Sequence, residues 1–278
     1  MIDLANLQIL AAAIVLIILW LLETVIPFLP NRRERIKHSA RNITIGAFNA
    51  IILAVLFAPL IFYLTTSTQN NKFGLLHLVN LPIWISVVLA TLFQDAWMYF
   101  WHRITHRIQL LWRFHKVHHS DPQMDASTAV RFHTGEILIS AVLRLGVIAF
   151  LGLSLWQVLL YDLLMIPIIL LHHSKIKFPE KLDKFYRFLF ASPAMHRIHH
   201  SPERIETDSN YGTIFSFWDR LGKSFRLRES SLEVKYGLEE FTKNETESFS
   251  VLALMPFQNV EESLNAYKNE SLMIHRNR

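Results

Sequence analysis

The 278-residue chain contains no cysteine. Disulfide frameworks, zinc ribbons, iron–sulfur clusters and thiolate-ligated haem all need a cysteine sulfur, so this chain forms none of them. Charged residues are also scarce, at 18% against roughly a quarter in soluble domains. Hydrophobic residues make up 51% of the chain. This balance indicates that much of the protein surface faces lipid instead of water.

Histidine and positive charge stand out against these shortages. The chain has 14 histidines and a formal net charge of +5, and neutral imidazole is a ligand for iron, zinc, copper and nickel. The basic residues lie beside apolar runs and do not form a separate basic face. Their partner is therefore expected to be a membrane surface and not a nucleic acid.

Five apolar runs predict an all-α integral membrane protein. Residues 4–29, 43–64 and 78–101 each reach the roughly 20 residues that are needed to cross a bilayer. Residues 137–153 and 155–171 are shorter and nearly contiguous, which predicts a short membrane hairpin. The expected fold is about three full transmembrane helices, this hairpin, and a cytoplasmic helical cap that carries the histidines.

The runs divide the chain into five segments. Three spans lie in 1–101, the cap is formed by 102–136 and 174–228, the hairpin is 137–173, and a polar tail of unassigned role is 229–278. Within the cap, basic and apolar residues alternate at helical spacing over 175–189. This pattern predicts a basic amphipathic helix that lies on anionic headgroups.

Arginine and lysine are concentrated after the first and third spans. Such residues favour the cytoplasmic side of short loops, so both connections are expected to be cytoplasmic and residues 65–77 external. Every histidine cluster then faces the cytoplasm in a multi-pass protein. The membrane would be the inner membrane of a bacterium or the endoplasmic reticulum of a eukaryote.

Two charges lie inside the predicted hairpin. Arg144 is nine residues before Leu153 and Asp162 is nine residues after it, so an antiparallel turn brings both to similar depth. An unpaired charge at that depth costs several kcal/mol. We therefore predict a structural ion pair between them, with a role in substrate passage as the alternative.

Three dense histidine motifs are the strongest signal in the chain. One HxxxH and two HxxHH motifs place imidazoles three or four residues apart, which is one face of a helix. Their members are His102 and His106, then His115, His118 and His119, then His196, His199 and His200. We expect all eight to bind metal.

Other histidines are weighed individually. His172 and His173 end the fifth apolar run and are expected to join the ligands, and His133 is a further candidate whose alternative role is a hydrogen bond to a neighbouring loop. His38, His77 and His275 stand alone and are not expected to be ligands.

The ligand types restrict the metal site. No ExxH sequence occurs, which excludes the carboxylate-rich di-iron bundle, and no HExxH occurs, which excludes the common zinc-peptidase arrangement. Eight or more imidazoles exceed the six positions of octahedral coordination. Two metals in an all-nitrogen shell are therefore expected.

The motif series resembles the fatty acid hydroxylase and sterol desaturase superfamily, whose members are integral-membrane di-iron oxygenases. The flanking segments are also similar: 95–103 precedes the first motif, Arg131-Phe-His-Thr-Gly-Glu136 resembles an FHPxE element, and 173–179, 210–212 and 218–222 resemble later family segments. The resemblance covers 95–225. Thr134 and Lys175 depart from the family pattern, which leaves the subfamily undetermined.

The resemblance implies two iron ions, for which zinc can substitute in purified protein, and O₂-dependent hydroxylation or desaturation of a lipid C–H bond. Asp95 and Asn210 are implied as candidate additional ligands or supports of a ligand. Asp95 shares a helical face with His102 and His106, so its carboxylate could accept an imidazole N–H, or could instead join two helices. Electrons are expected from a separate redox protein, because the chain leaves no residues for a fused one.

Two other classes of function stay open on the sequence alone. A metal transporter would carry its ligands within several spans along a path, whereas these motifs lie just beyond the spans. A non-catalytic membrane protein with a structural dizinc site would bind metal without consuming O₂.

Overall fold

The computed structural model describes residues 4–25, 35–176, 178–228, 234–238, 240–241, 246 and 248–258, and the described residues are helical with no strand. Four helices are long and apolar enough to cross a membrane: α2 (Arg35–Leu56), α4 (Ile83–Arg107), α6 (Thr134–Leu151) and α7 (Leu155–His173). Helix α1 (Leu4–Val25) precedes them, and its apolar stretch Leu10–Glu23 is shorter than a full span. The chain is thus an all-α, multi-pass membrane protein.

The remaining elements are shorter. They are α3 (Ala58–Asn70), α5 (Gln109–His119), α8 (Glu180–Tyr186), α9 (Pro193–His199), α10 (Arg204–Thr207), α11 (Phe217–Leu221) and α12 (Phe249–Leu254), with 3-10 turns at Leu75–His77, Ala126–Val130 and Met255–Phe257.

Apolar side chains on the long helices point outward. Ile51 and Val55 of α2, Ile83 and Trp84 of α4, and Phe150 of α6 are each more than 60% exposed. A water-soluble protein would bury contiguous surface of this kind. These faces are therefore the ones that contact lipid.

The second predicted span is wrong in its boundaries. The sequence predicts one helix over 43–64 and a loop over 65–77, but α2 begins at Arg35 and ends at Leu56, and α3 continues to Asn70. Pro59 lies in the first turn of α3, where its missing N–H and its ring prevent one uninterrupted helix. Thr65 and Thr68 are buried in α3 because their hydroxyls bond to backbone carbonyls.

The hairpin is longer than predicted. Helices α6 and α7 have 18 and 19 residues, or roughly 27–28 Å at 1.5 Å per residue, close to the thickness of the hydrocarbon core. Gly152 ends α6 in the left-handed region, with φ +72°. A Cβ there would lie 2.3 Å from the Phe73 carbonyl oxygen, so the turn between α6 and α7 requires glycine.

The predicted amphipathic helix is also shorter than expected. Only Glu180–Tyr186 is helical, and it begins directly after Pro179, because a proline disfavours helical backbone in the residue before it. Lys175 is buried and not on a surface helix, and residue 177 lies outside the described residues. Phe185 and Phe188 are about 80% exposed, so an apolar surface at this position remains.

Packing brings one end of several helices together. Helix α1 packs on α7, α4 packs on α5 and α7, and α7 packs on α9. The turn Ala126–Val130 lies between α1, α2 and α7, where Ala126 and Ala129 join Leu19 and Leu170 in a buried apolar cluster. The final turns of α4, α5, α7 and α9 therefore meet in one place.

Candidate metal centre

The helix ends assemble nine histidines into two adjacent groups. In each group, one ligand atom from every member lies within 4.8 Å of those of the others. The first group contains His102, His106, His115, His119 and His199, and the second contains His118, His173, His196 and His200. Each HxxHH motif contributes to both groups, because its members project from one helical face toward two neighbouring points.

The ring nitrogens of the second group lie close together. The Nε2 atom of His173 lies 3.1 Å from Nε2 of His118 and 2.9 Å from Nε2 of His196. A further 3.1 Å separates the Nε2 atoms of His196 and His200. Four ring nitrogens thus converge on a single point between α5, α7 and α9.

Hydrogen bonds at the opposite ring nitrogen orient several imidazoles. The Nδ1 atom of His102 donates to the Tyr211 carbonyl at 3.0 Å, and that of His199 donates to the Ser209 carbonyl at 2.7 Å. His173 donates in the same way to the Ile169 carbonyl within α7, at 2.8 Å. A proton fixed on Nδ1 leaves the Nε2 lone pair available to a metal.

Glu136 orients a fourth imidazole. The Nδ1 atom of His115 donates to Oε1 of Glu136 at 2.8 Å, which is the carboxylate–histidine arrangement that supports many metal ligands. Glu136 is 5% exposed and its second oxygen has no hydrogen-bond partner among the described residues. The sequence alone does not assign Glu136 a role of its own. The signal that could have identified it is its position at the end of the Arg131–Glu136 element.

Burial favours the neutral form of five of the ligand imidazoles. It lowers the pKa of His118, His119, His196, His199 and His200 well below the ordinary value, and neighbouring imidazoles lower it further. A neutral imidazole presents a lone pair to a cation at neutral pH, whereas an imidazolium does not.

The unpartnered nitrogens test whether the residues fit a metal. The Nε2 atoms of His102, His106, His115, His119 and His199 are buried and have no hydrogen-bond partner among the described residues. Buried polar atoms without partners are costly, and a native fold retains them only for a reason. All five belong to the first group, where a bound cation would satisfy these lone pairs, so the donor set fits a nitrogen-ligated metal ion.

An apolar cavity opens onto the histidines. It has a volume of about 330 Å³ and extends between α2, α4, α6 and α7. Its walls are largely hydrophobic, including Leu53, Met98, Ile137, Met165 and Ile166. The histidines at its end are His102, His115, His118, His172, His173 and His196. A hydrocarbon chain in this cavity would reach both groups.

His172 lies beside the groups but outside them. Its ring stacks on that of His196 with centroids 3.9 Å apart, yet it is a member of neither group. Successive residues of a helix point about 100° apart, so α7 directs His173 and not His172 at the second point. The structure thus brings His173 but not His172 into the second group.

Three further predicted residues lie away from the ligand nitrogens. His133 caps α6, where its Nδ1 accepts from the Gly135 amide, and its Nε2 donates to the Ala253 carbonyl at 3.1 Å. The alternative role as a hydrogen bond to a neighbouring segment therefore describes this residue. His133 directly precedes Thr134, the first residue of α6. Its ring therefore turns toward the start of α6 and not toward the ends of α4, α5, α7 and α9, where the ligands lie.

Asp95 contacts no histidine among the described residues. Its carboxylate accepts from the amides of Ile214 and Phe215, both at 3.0 Å, and from the Tyr161 hydroxyl and the Trp218 indole. These four donors surround Asp95 about two turns before His102 and about three turns before His106. It joins α4 to α7 and to the segment after the third motif.

Asn210 supports the backbone. It has a left-handed φ of +53°, which asparagine tolerates better than most residues. Its side-chain amide donates to the Met195 and Arg226 carbonyls at 2.9 and 2.8 Å. Its side-chain oxygen accepts from the Arg226 amide, so Asn210 ties the loop after the third motif to α9 through backbone partners.

The predicted ion pair and two of the isolated histidines have polar partners in the structure. Arg144 and Asp162 form an ion pair across the hairpin with 2.6 Å between nitrogen and oxygen. His38 lies between Asp121 and Asp125, with its Nε2 2.8 Å from the Asp121 carboxylate. His77 donates to the Gly152 carbonyl, and His275 lies outside the described residues.

Three aromatic residues next to the ligands were missed by the sequence analysis. Phe132 stacks on His118 with centroids 4.3 Å apart, Tyr211 contacts His102 and His106, and Trp112 contacts His106 and His119. Each adjoins a motif in the chain, but adjacency in sequence does not tell which aromatic ring reaches a ligand.

Comparison with known proteins gives one consistent result. A family model described as fatty acid hydroxylase matches residues 87–224, which contain every histidine of the two groups. No solved structure gives a significant match to the chain.

Several similar curated proteins carry lipid-oxidising names. Ornithine lipid hydroxylase OlsE of Rhizobium tropici is 32% identical over 156 residues, which is 55% of this chain and 46% of that protein. Human alkylglycerol monooxygenase is 28% identical over 166 residues, with 58% and 35% covered. Mouse lathosterol oxidase is 31% identical over 187 residues, with 64% and 54% covered.

The chain spans about half or less of the length of these relatives. The family match contains both histidine groups, the cavity histidines and the Arg131–Glu136 element. The chain therefore belongs to the fatty acid hydroxylase and sterol desaturase superfamily.

Proposed function

We propose that this protein is a membrane-bound di-iron oxygenase that hydroxylates or desaturates an unactivated C–H bond of a lipid. One observation carries the proposal: two groups of buried histidines, with unpartnered ring nitrogens, lie at the end of an apolar cavity between membrane helices. The lipid-oxidising names of the relatives support the same reaction class.

The two histidine groups would each hold one iron. The five histidines of the first group and the four of the second supply only nitrogen, a donor that suits iron as well as zinc. His102, His115, His173 and His199 would keep their orientation through the Nδ1 hydrogen bonds described above. His172 is proposed to contact the reacting chain and not the metal, because it lines the cavity.

When bound, the iron pair supplies O₂ activation at the expense of external electrons. Hydroxylation balances as RH + O₂ + 2 e⁻ + 2 H⁺ giving ROH + H₂O, and desaturation removes two hydrogens while O₂ is reduced to two waters. Apolar side chains of α2, α6 and α7 line the cavity and would exclude water from a reacting carbon bound there.

The substrate would be a lipid whose hydrocarbon chain occupies this cavity. Cavity walls made of membrane helices favour a molecule that arrives from the bilayer. The names of the relatives include an ornithine lipid, an alkylglycerol and sterols. Fatty acyl, sterol or other isoprenoid, and ether-lipid chains are therefore the classes to test.

We place the histidine groups on the cytoplasmic side, since arginines and lysines follow the first and third predicted spans. A separate redox protein would deliver the electrons there. The membrane would be the inner membrane of a bacterium or the endoplasmic reticulum of a eukaryote.

Comparative lipidomics with metal analysis tests the proposal. Cells that express the wild type are compared with cells that express His118→Ala, which removes one ligand of the second group. A lipid that gains one oxygen only with the wild type indicates hydroxylation, and a histidine-dependent loss of two hydrogens indicates desaturation. Zinc in the purified protein, with no lipid change in the presence of a redox partner, would contradict it.

A further inference from the structure

We propose that the exposed surface around Trp112 receives an acidic, one-electron redox protein and passes its electrons to the first histidine group. This surface, the Trp112 face, consists of Arg107, Ile108, Leu110, Trp112, Arg113, Arg204 and Ile205. The inference rests on the proposed function, because electrons have a use here only if the histidines hold a redox-active metal.

Trp112 connects the protein surface to the metal ligands. Its half-buried ring lies 5.0 Å from the ring of His106 and 5.4 Å from that of His119, centroid to centroid. His115 follows at 6.2 Å. All three histidines belong to the first group. A single aromatic ring thus separates the solvent-facing side from three ligands, and electron transfer through protein becomes rapidly slower with distance.

Arg204 covers the outer side of this ring. Its guanidinium carbon lies 5.0 Å from the Trp112 centroid, a cation–π contact, and one of its nitrogens donates to the His106 carbonyl at 2.7 Å. The Arg204 side chain is 56% exposed. A protein that docks on Arg204 would therefore contact the guanidinium that packs on Trp112 and donates to the His106 carbonyl.

The Trp112 face lies away from the cavity. Among the described residues, those that line the cavity include His102, His115 and His118 but neither His106, His119 nor Trp112. Lipid and electrons would then approach the histidines from different sides. Separate approaches let the cavity remain closed to water while a redox protein binds and leaves.

The composition of this surface fits a transient partner of opposite charge. Ile108, Leu110 and Ile205 are 48%, 62% and 61% exposed, and the exposed Arg107 and Arg113 accompany them in the chain. Arg204 shares its charge with Asp208 at 2.8 Å. An apolar centre with a basic rim selects an acidic protein, and weak redox complexes need only a small interface.

A bilayer would be the other occupant of an apolar and basic surface. The cavity side is the better candidate for bilayer contact, because the cavity lies between the membrane helices, whereas the two nearest ligands to Trp112, His106 and His119, do not line it. Contact with lipid would also leave the packing of the Trp112 ring on metal ligands without a function. We therefore assign this face to a protein.

Electron transfer into the iron-loaded protein in nanodiscs tests the assignment. The protein probe is a small acidic [2Fe–2S] ferredoxin in its reduced form, followed by its visible absorbance, and the chemical probe is reduced methyl viologen. The ratio of the two rates is measured for every variant, so that losses of folding or metal content cancel. We expect Arg113→Glu to lower this ratio about tenfold at low salt, and high salt to reduce the difference.

The matched control is Lys184→Glu, the same charge change at an exposed residue of α8, which is expected to alter the ratio less than about twofold at the same ionic strength. Trp112→Leu is expected to lower the ratio more than Trp112→Phe, which keeps a ring. A ratio that is unaffected by Arg113→Glu, or lowered equally by Lys184→Glu, would overturn the assignment. If the wild type oxidises neither probe, the proposed function fails together with it.

A second measurement locates the surface directly. The chain has no cysteine, so Arg113→Cys gives a single site for a nitroxide label. We expect the label in nanodiscs to be relaxed by a water-soluble nickel chelate more than by O₂. Stronger relaxation by O₂, which concentrates in lipid, would assign the Trp112 face to the bilayer instead.

Discussion

At the scale of single residues, the site depends on which nitrogen of each imidazole is free. Hydrogen bonds from Nδ1 to backbone carbonyls or to Glu136 leave Nε2 of His102, His115, His173 and His199 available. Burial lowers the pKa of His118, His119, His196, His199 and His200 well below the ordinary value, which favours their neutral form. Orientation and neutrality together prepare the shell for cations before any cation binds.

Glu136→Gln tests this orientation. The amide can still accept from Nδ1 of His115 but carries no charge, so it supports the ligand less well. We expect metal affinity to fall about 10- to 100-fold, measured by competition with a chelator. Thr134→Ser, in the same turn of α6, is the control, and unchanged affinity in Glu136→Gln would contradict the orienting role.

His118 and His172 make a second comparison. Both are fully buried, but only His118 belongs to a group. We expect His118→Ala to lose about one of two irons per chain and His172→Ala to keep both, as determined by metal analysis of the purified proteins. Equal loss from the two variants would show that His172 is a ligand.

At the scale of elements, the sequence predicted the helices better than their ends. The apolar runs located α4, α6 and α7, and the histidine spacing predicted which side chains share a face. It could not show that Pro59 separates α2 from α3, that α8 begins only after Pro179, or that α7 directs only His173 at the second group. These features depend on local backbone geometry and on contacts between segments far apart in the chain.

Residues that act through other elements were equally hard to predict. Asp95 shares a helical face with His102 and His106, yet its partners are on α7 and in the 214–218 segment. Periodicity along one helix identifies a shared face but not the element that packs against it.

An ion pair joins α6 to α7, and its contribution to stability can be tested. Arg144 and Asp162 lie 2.6 Å apart, and removal of one partner leaves the other charge without its counter-ion. We expect Asp162→Ala to destabilise the protein by about 3 kcal/mol and Arg144→Leu with Asp162→Leu to recover most of it, measured by thermal unfolding in detergent. A double variant as unstable as the single one would argue against a structural role and for a part in substrate passage.

At the scale of the whole molecule, the amino-acid composition and the histidine site both reflect the same arrangement of helices. Few charged residues and many apolar ones give helices that face lipid, and these helices end where the histidines meet. The cavity faces the membrane helices while Trp112 faces away from it. In the proposed function, lipid and electrons therefore reach one metal centre by separate routes.

The most direct test of the central claim is the reaction of the purified, iron-loaded protein with lipid and ¹⁸O₂ under a supplied reductant, analysed by mass spectrometry. For the wild type we predict two irons per chain and a lipid that gains one ¹⁸O atom or loses two hydrogens. For His118→Ala we predict that the lipid stays unaltered. A wild-type protein that consumes no O₂ and leaves every lipid class unaltered, while its iron remains bound and reducible, would contradict the account.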